Sequence, residues 1–285
     1  MSEFIIIANN TCDLPEKDVK ELDITILPLG FTIGEESFKE MPVDEFYKRI
    51  QAGAMPTTNA ANIAEYIDLY EPALAAGKDV LNLVFSSALS MTYNAAVMAA
   101  EEMQEKYPDR KIYVVDTRSA SFGEAILVKG AAEMRAAGKS IDEVRDWAEA
   151  TKLKVAHFFT INDLGHLKRG GRISAAQAVV GGMLGVKPIL RVDDNGKLVP
   201  LDKVRGRQAA LMKLVSLLAE NGIDIAGQTI HIVHSACEDE AIWLGEQIKE
   251  KLGVKEVVIG CVGPVIGSHT GVGVLAVFCI AENRG

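Results

Sequence analysis

Gly263-Pro264-Val265-Ile266-Gly267-Ser268-His269-Thr270-Gly271-Val272-Gly273 gathers a histidine, hydroxyl side chains and closely spaced glycines directly before an apolar run over residues 274–280. Glycine lets a backbone adopt positive φ and approach a ligand closely, so that N–H groups can face an anion. A histidine in such a stretch can donate a hydrogen bond or a proton. The plainer alternative is a Gly-rich turn between strands with an incidental histidine. Two hydroxyl-rich stretches upstream weigh against it. Pro56-Thr57-Thr58-Asn59-Ala60-Ala61-Asn62 is a polar turn before a helical pattern, with Asn62 in the position of an N-cap. Ser86, Ser87, Ser90 and Thr92 lie where an apolar strand pattern gives way to a helical one. Free N–H groups and the helix dipole favour an anion there, and capping alone needs fewer hydroxyls. Neutral donors of this kind suit a single carboxylate held by hydrogen bonds, rather than a polyphosphate held by lysines.

Cations are concentrated in two short segments, Lys168-Arg169-Gly170-Gly171-Arg172 and Lys203-Val204-Arg205-Gly206-Arg207, although the net charge is −9. Such local concentration implies a defined anionic target, a protein surface or a phosphate, unless the loops are simply solvated. The acidic balance and the lack of stacking aromatics argue against nucleic acid. Cys12, Cys237, Cys261 and Cys279 show no C-x-x-C spacing, and His157, His166, His231 and His234 are scattered, so no metal site is expected. Cys261 and Cys279 sit in apolar runs and read as buried thiols. Three tempting motifs fail. Gly138-Lys139-Ser140 resembles the end of a P-loop, but Glu133 occupies the first glycine position. Gly271 to Ala276 has the letters of a dinucleotide turn but runs into β-branched strand residues. No G-x-S-x-G exists to build a nucleophile elbow. The opening apolar run is too short for a signal peptide, and none approaches the ~20 residues of a membrane helix, so a soluble cytoplasmic protein is expected.

Positioning these stretches takes alternating strands and helices. Strand patterns fall at 4–8, 24–29, 80–85 and 112–115, and helical patterns at 43–52, 63–76, 93–106 and 124–137. Ser140-Ile141-Asp142-Glu143 is a capping box opening a further helix to about residue 151. Continuous apolar strands alternating with helices predict a mostly parallel sheet buried on both faces, with ligands outside the carboxyl ends of its strands. Beyond residue 154 the pattern changes. Strands are expected at 155–161, 229–234 and 257–261, with a hairpin over 187–201 turning at Asp193-Asp194-Asn195-Gly196. Helices at 207–220 and 239–252 are closed by Gly222 and Gly253. The expected fold is α/β with two domains. Residues 1–153 would form a three-layer, mostly parallel sheet domain, and residues 154–285 a two-layer domain with a mixed or antiparallel sheet.

The motifs together resemble a known family. Phe85-Ser86-Ser87-Ala88-Leu89-Ser90-Met91-Thr92-Tyr93-Asn94 is similar to the S-S-x-L-S-G-T-Y signature of the DegV family of bacterial fatty-acid-binding proteins. Asn9-Asn10-Thr11-Cys12-Asp13-Leu14-Pro15 resembles its D-S-T-x-D-L-P opening, and segments 115–121, 167–174 and 263–271 follow in the family's order. The resemblance covers essentially the whole chain. It implies a buried long-chain, palmitate-like fatty acid as ligand and no cofactor. Its carboxylate would be bound at Thr58, Ser90 and His269, with Ser86, Ser87, Thr92, Gly267 and Ser268 in support. It also implies presentation of the bound acid to a separate fatty acid kinase, which forms acyl-phosphate for phospholipid synthesis. Arg169, Arg172, Arg205 and Arg207 match segments the family uses to meet that kinase, and transient contact with a membrane surface belongs to the same expectation. Departures are visible: Asn59-Ala60-Ala61-Asn62 replaces S-Q-P-S, Met91 replaces a glycine, and Asn9-Asn10 replaces D-S.

The reading adopted is therefore a lipid carrier, not an enzyme in itself. Burying ~15 methylenes at about 0.8 kcal/mol each supplies ample affinity, so the headgroup need only offset carboxylate desolvation. The Ala-rich helix over 94–100 and the apolar segment 175–186 are candidates to line the acyl tunnel. Two rivals stay open. One is an acyl-transfer enzyme with Ser90 as nucleophile and His269 as base, for which no orienting carboxylate stands out. The other is a regulatory lipid sensor sharing the same pocket.

Overall fold

A computed structural model describes residues 3–178 and 185–284. The chain divides into two units, one formed by the segment up to Gly30 with Asn59–Leu153, the other by Phe31–Thr58 with the chain from Lys154 onward. Contiguous domains 1–153 and 154–285 therefore do not account for residues 31–58, which group with the second unit. Elements are numbered along the chain.

The first unit is built on strands with apolar side chains on both faces. Ile6 and Ile7 of β1 (Phe4–Asn9) are fully buried, as are Val80, Leu81, Leu83 and Val84 of β6 (Asp79–Val84). Such strands are stable only inside a covered parallel sheet. The observed order is β2-β1-β6-β7, with β2 at Ile24–Leu27 and β7 at Ile112–Asp116, and every pair is parallel. Helices α3 (Ile63–Ala75) and α4 (Thr92–Lys106) pack on one another and on β6, as do α5 (Phe122–Ala136) and α6 (Ile141–Thr151). The capping boxes at Asn62/Glu65 and Ser140/Glu143 both form. Strand order reverses between β1 and β6, which opens a crevice beyond their carboxyl ends. Asn10 and the Ser86–Ser90 stretch follow those ends.

A short helix, α1 (Glu16–Glu21), escapes the apolar pattern because none of its residues is buried. It is held instead by surface pairs such as Lys20–Glu16 at 2.5 Å. Asn10 clamps the loop after β2: its Nδ2 donates to the Leu29 carbonyl at 3.2 Å, and its Oδ1 accepts from the Leu29 N–H at 2.9 Å. The fully buried Glu124 carboxylate accepts from the Thr11 hydroxyl at 2.9 Å, and burial drives its pKa well up.

The second unit carries a six-stranded sheet in the order β10-β9-β8-β13-β11-β12. Its strands are β8 (Val155–Thr160), β9 (Val186–Val192), β10 (Leu198–Arg205), β11 (Thr229–His234), β12 (Glu256–Cys261) and β13 (Leu275–Ile280). Only the β11–β12 pair is parallel, so the sheet is mixed, as expected. Helices α9 (Arg207–Asn221) and α10 (Glu238–Leu252) pack against it and each other. Leu211, Leu214 and Leu218, spaced for one helical face, meet Ile230, Ile232, Leu244 and Ile248 in the core. Cys279 is buried in this core, but Cys261 is exposed because β12 is an edge strand; a buried thiol was the wrong expectation there.

Residues 31–58 add a small antiparallel sheet, β4-β3-β5, from Phe31–Ile33 (β3), Glu36–Phe38 (β4) and Thr57–Thr58 (β5), with helix α2 at Val43–Gln51. Phe31, Phe46, Tyr47 and Ile50 form its apolar centre. Short helical segments of the second unit include α7 (Gly165–Arg169), α8 (Ala175–Ala178) and α11 (Pro264–Thr270). Residues 179–184, within the apolar segment 175–186, lie outside the described residues.

Candidate functional site

Thr58 ends the short strand β5, paired opposite Phe31. Its hydroxyl lies 2.8 Å from His269 Nε2, across 211 residues of sequence. His269 is carried by α11, so the glycine-rich stretch is a helical turn started by Pro264 and closed by Gly271, not an open loop. Within that helix Ser268 donates to the Pro264 carbonyl at 2.7 Å and Thr270 to the Ile266 carbonyl at 3.1 Å, so both hydroxyls are spent on the turn. Tyr47 fixes the approach to α11 by donating to the Val262 carbonyl at 2.8 Å. A Cβ at Gly267 would lie 2.7 Å from both the Tyr47 hydroxyl and Phe46, so this glycine supports the helix by letting those rings close in.

Thr58 and His269 line a cavity of about 340 Å³ together with Met55, Pro56, Thr57, His166, Arg169, Gly170, Arg172 and Ser268. None of these residues is acidic. Burial, reinforced by the Arg172 charge, lowers the His269 pKa to about 4. His166 is lowered by burial and then by Arg169, and half-buried Arg172 is lowered by burial alone. Such an environment disfavours added positive charge and holds two arginines, which is the electrostatic setting that suits an anion. His166 was not singled out from the sequence as a pocket residue. The available signal was its place three residues before Arg169 on α7, which puts both on one helical face.

The hydroxyl cluster of the first unit is organised by its own contacts. Ser90 Oγ accepts from Thr92 N–H at 3.2 Å and lies 2.8 Å from Thr92 Oγ1, which accepts from Ala61 N–H at 3.2 Å. Ser90 thus satisfies the first N–H of α4 from the position before its N-cap residue Met91, while keeping hydroxyl capacity for a further partner. Ser87 is used internally: its N–H and hydroxyl both donate to Asp116, at 3.1 and 2.5 Å, tying the ends of β6 and β7 together. Ser86 is fully buried, and Met91 is 66% exposed.

Among the four arginines expected to meet a partner, Arg169 and Arg205 are exposed. Arg172 lines the cavity. Arg207 is the exception, because its guanidinium grips Glu240 through Nε and Nη2, at 3.0 and 2.7 Å, and joins α9 to α10. That side chain serves the core of the sheet unit. Among the described residues no group of three His, Cys, Asp or Glu side chains is placed to hold a metal ion, and no helix is long and apolar enough to cross a membrane.

Comparisons with known proteins agree along the full chain. The family model described as "Uncharacterised protein, DegV family" matches residues 3–282. A DegV domain-containing protein of Clostridium perfringens is 43% identical over 289 residues, covering 100% of this chain and 99% of its own length. Among solved structures, DegV of Bacillus subtilis, described as a fatty acid binding protein, superposes with TM-score 0.86 at 29% identity, covering 98% of this chain and 100% of its own. A fatty-acid-binding DegV family protein of Thermus thermophilus gives 0.87 at 28% identity, covering 98% and 99%. On the strength of the whole-length match, this chain belongs to the DegV family.

Proposed function

We propose that the protein binds a long-chain fatty acid non-covalently, with the carboxylate at the Thr58–His269 pair, and serves as a carrier. The observation that carries this reading is the cavity itself. A hydroxyl–imidazole pair and two arginines line it, and none of its lining residues is acidic. The fatty-acid ligands described for the Bacillus subtilis and Thermus thermophilus relatives supply the chemical class. Thr58 donates to the carboxylate and Arg172 supplies long-range attraction. Ser268 and Gly267 act by shaping α11.

Presentation to a fatty acid kinase, in the cytoplasm and with transient contact at a membrane surface, is the biological setting we infer. Arg169 and Arg205 are its exposed docking cations, while Arg172 is assigned to the ligand and Arg207 to the fold. In the rival reading Ser90 would attack an acyl ester with His269 as base. Against it, His269 Nε2 is engaged by Thr58 and the Ser90 hydroxyl by Thr92. Mass spectrometry of the purified protein decides between the readings. Unmodified fatty acid extracted from denatured protein supports the carrier; a covalent acyl adduct on Ser90 after incubation with an activated ester overturns it.

A further inference from the structure

Two adjacent glycines close α7, and they are glycine for different reasons. Gly171 has φ +73 with nothing within 4 Å of where a Cβ would stand, so its backbone requires glycine. Gly170 has φ −70 and ψ −10, a conformation any residue adopts. Yet a Cβ there would stand 2.2 Å from His269 Nδ1 and 3.0 Å from Cε1. What requires glycine at 170 is the imidazole, whose Nδ1 occupies the space a Cβ would need.

This contact also bears on which ring nitrogen carries the proton. Nδ1 is buried with no hydrogen-bond partner among the described residues, whereas Nε2 faces the Thr58 hydroxyl. An orphaned buried N–H is rarer than an orphaned acceptor, so the neutral ring keeps its bare lone pair on the Gly170 side. Nε2–H then donates to Thr58 Oγ1. The Thr58 hydrogen, excluded from that contact, is left to point at a ligand oxygen.

The geometry points to Gly170 as a positioning residue: by admitting the His269 ring it fixes the Nε2–H tautomer, and so makes Thr58 the hydrogen-bond donor of the pocket. His269 on this view orients Thr58 and need not touch the ligand. The ligand part of the inference rests on the fatty-acid reading above; the tautomer part does not.

Both parts are tested with wild type, Gly170→Ala, His269→Ala and the double variant. Long-range proton–nitrogen spectra of the ligand-free, ¹⁵N-labelled protein should show His269 with hydrogen on Nε2 and a pKa near 4. In Gly170→Ala the ring must turn away, so the tautomer preference should be lost and the pKa should move toward the ordinary histidine value. Palmitate titration should show a loss of roughly 10- to 100-fold for Gly170→Ala. In the His269→Ala background the same alanine should cost nothing further. Hydrogen on Nδ1 in wild type, an unchanged pKa in Gly170→Ala, or losses that add in the double variant would each overturn the assignment. If the spectra behave as expected but wild type does not bind palmitate, the positioning role stands and the fatty-acid reading fails.

Discussion

Replacing Thr58 with valine tests the pocket with little change of shape. Valine keeps the β-branch that suits β5, so the pairing with Phe31 is retained. The hydroxyl alone is removed. In the ligand-free protein this leaves His269 without its 2.8 Å partner on Nε2, with Nδ1 already unpartnered. Leaving a half-buried polar group unsatisfied costs about 1–3 kcal/mol, which a thermal or urea unfolding curve can read. On the ligand side, one hydrogen bond to a carboxylate disappears, worth roughly 1.5–3 kcal/mol, or about 10- to 150-fold in affinity. Displacement of a fluorescent fatty acid by palmitate, with circular dichroism as the fold control, gives both numbers on one sample. A variant that is destabilised but binds palmitate with wild-type affinity would remove Thr58 from the headgroup site. A variant unchanged in both would refute the described geometry of the pair.

Four further outcomes follow from the same geometry. Ser90→Ala should weaken palmitate binding by a similar factor without unfolding the protein, and an unchanged titration would confine Ser90 to its bonds with Thr92 at the start of α4. His269 is held near pKa 4 by burial and the Arg172 charge, so the ring should stay neutral, with its hydrogen on Nε2, between pH 7 and 5. Binding in that range should therefore take up no proton at His269, and calorimetry in two buffers of different ionisation heat should give the same proton balance for wild type and His269→Gln; an uptake lost in His269→Gln would show that the ring becomes an imidazolium. Glu124 is the opposite case: its folded pKa lies well above 4.5, so the unfolded chain ionises first and stability falls as pH rises through that window. Glu124→Gln should then raise stability at pH 7, on the order of 1 kcal/mol, and flatten this slope in urea unfolding. Charge reversal at Arg205, which is exposed and does not line the cavity, should spare lipid affinity but slow acyl-phosphate formation by a cognate kinase, mimicking high salt; wild-type turnover and salt dependence would place docking elsewhere.

The long apolar strands and periodic helices were legible because burial on one or both faces writes itself into residue spacing. Predicted helix 63–76 is observed as Ile63–Ala75, and 207–220 as Arg207–Asn221. Elements held by other forces were not legible. α1 buries nothing, and β3, β4 and β5 are two or three residues long, too short for alternation to register. The grouping of residues 31–58 with the second unit was not legible either, since their own apolar centre is local and what ties them to that unit is contacts more than 200 residues apart, Tyr47 to Val262 and Thr58 to His269. Thr58 and His269 were found by residue type and family resemblance, and their hydrogen bond joins them in one pocket. The Arg207–Glu240 pair was not legible, because a cation beside glycine looks alike in a sequence whether it faces solvent or a carboxylate.

The excursion of residues 31–58 sets an order on assembly. The Thr58–His269 bond spans 211 residues and the Tyr47–Val262 bond spans 215. Closing such long loops is entropically costly, and contacts of this range tend to form late in folding. Early in synthesis β3, α2 and β5 emerge without α11, and Thr58 has no imidazole to meet. The first unit has no such dependence, because its strands and helices are complete by Leu153. A nascent or truncated chain ending before Pro264 would then hold a formed parallel sheet and no headgroup pocket. Ligand competence is thus acquired only once α11 has joined the second unit, long after β5 has been made.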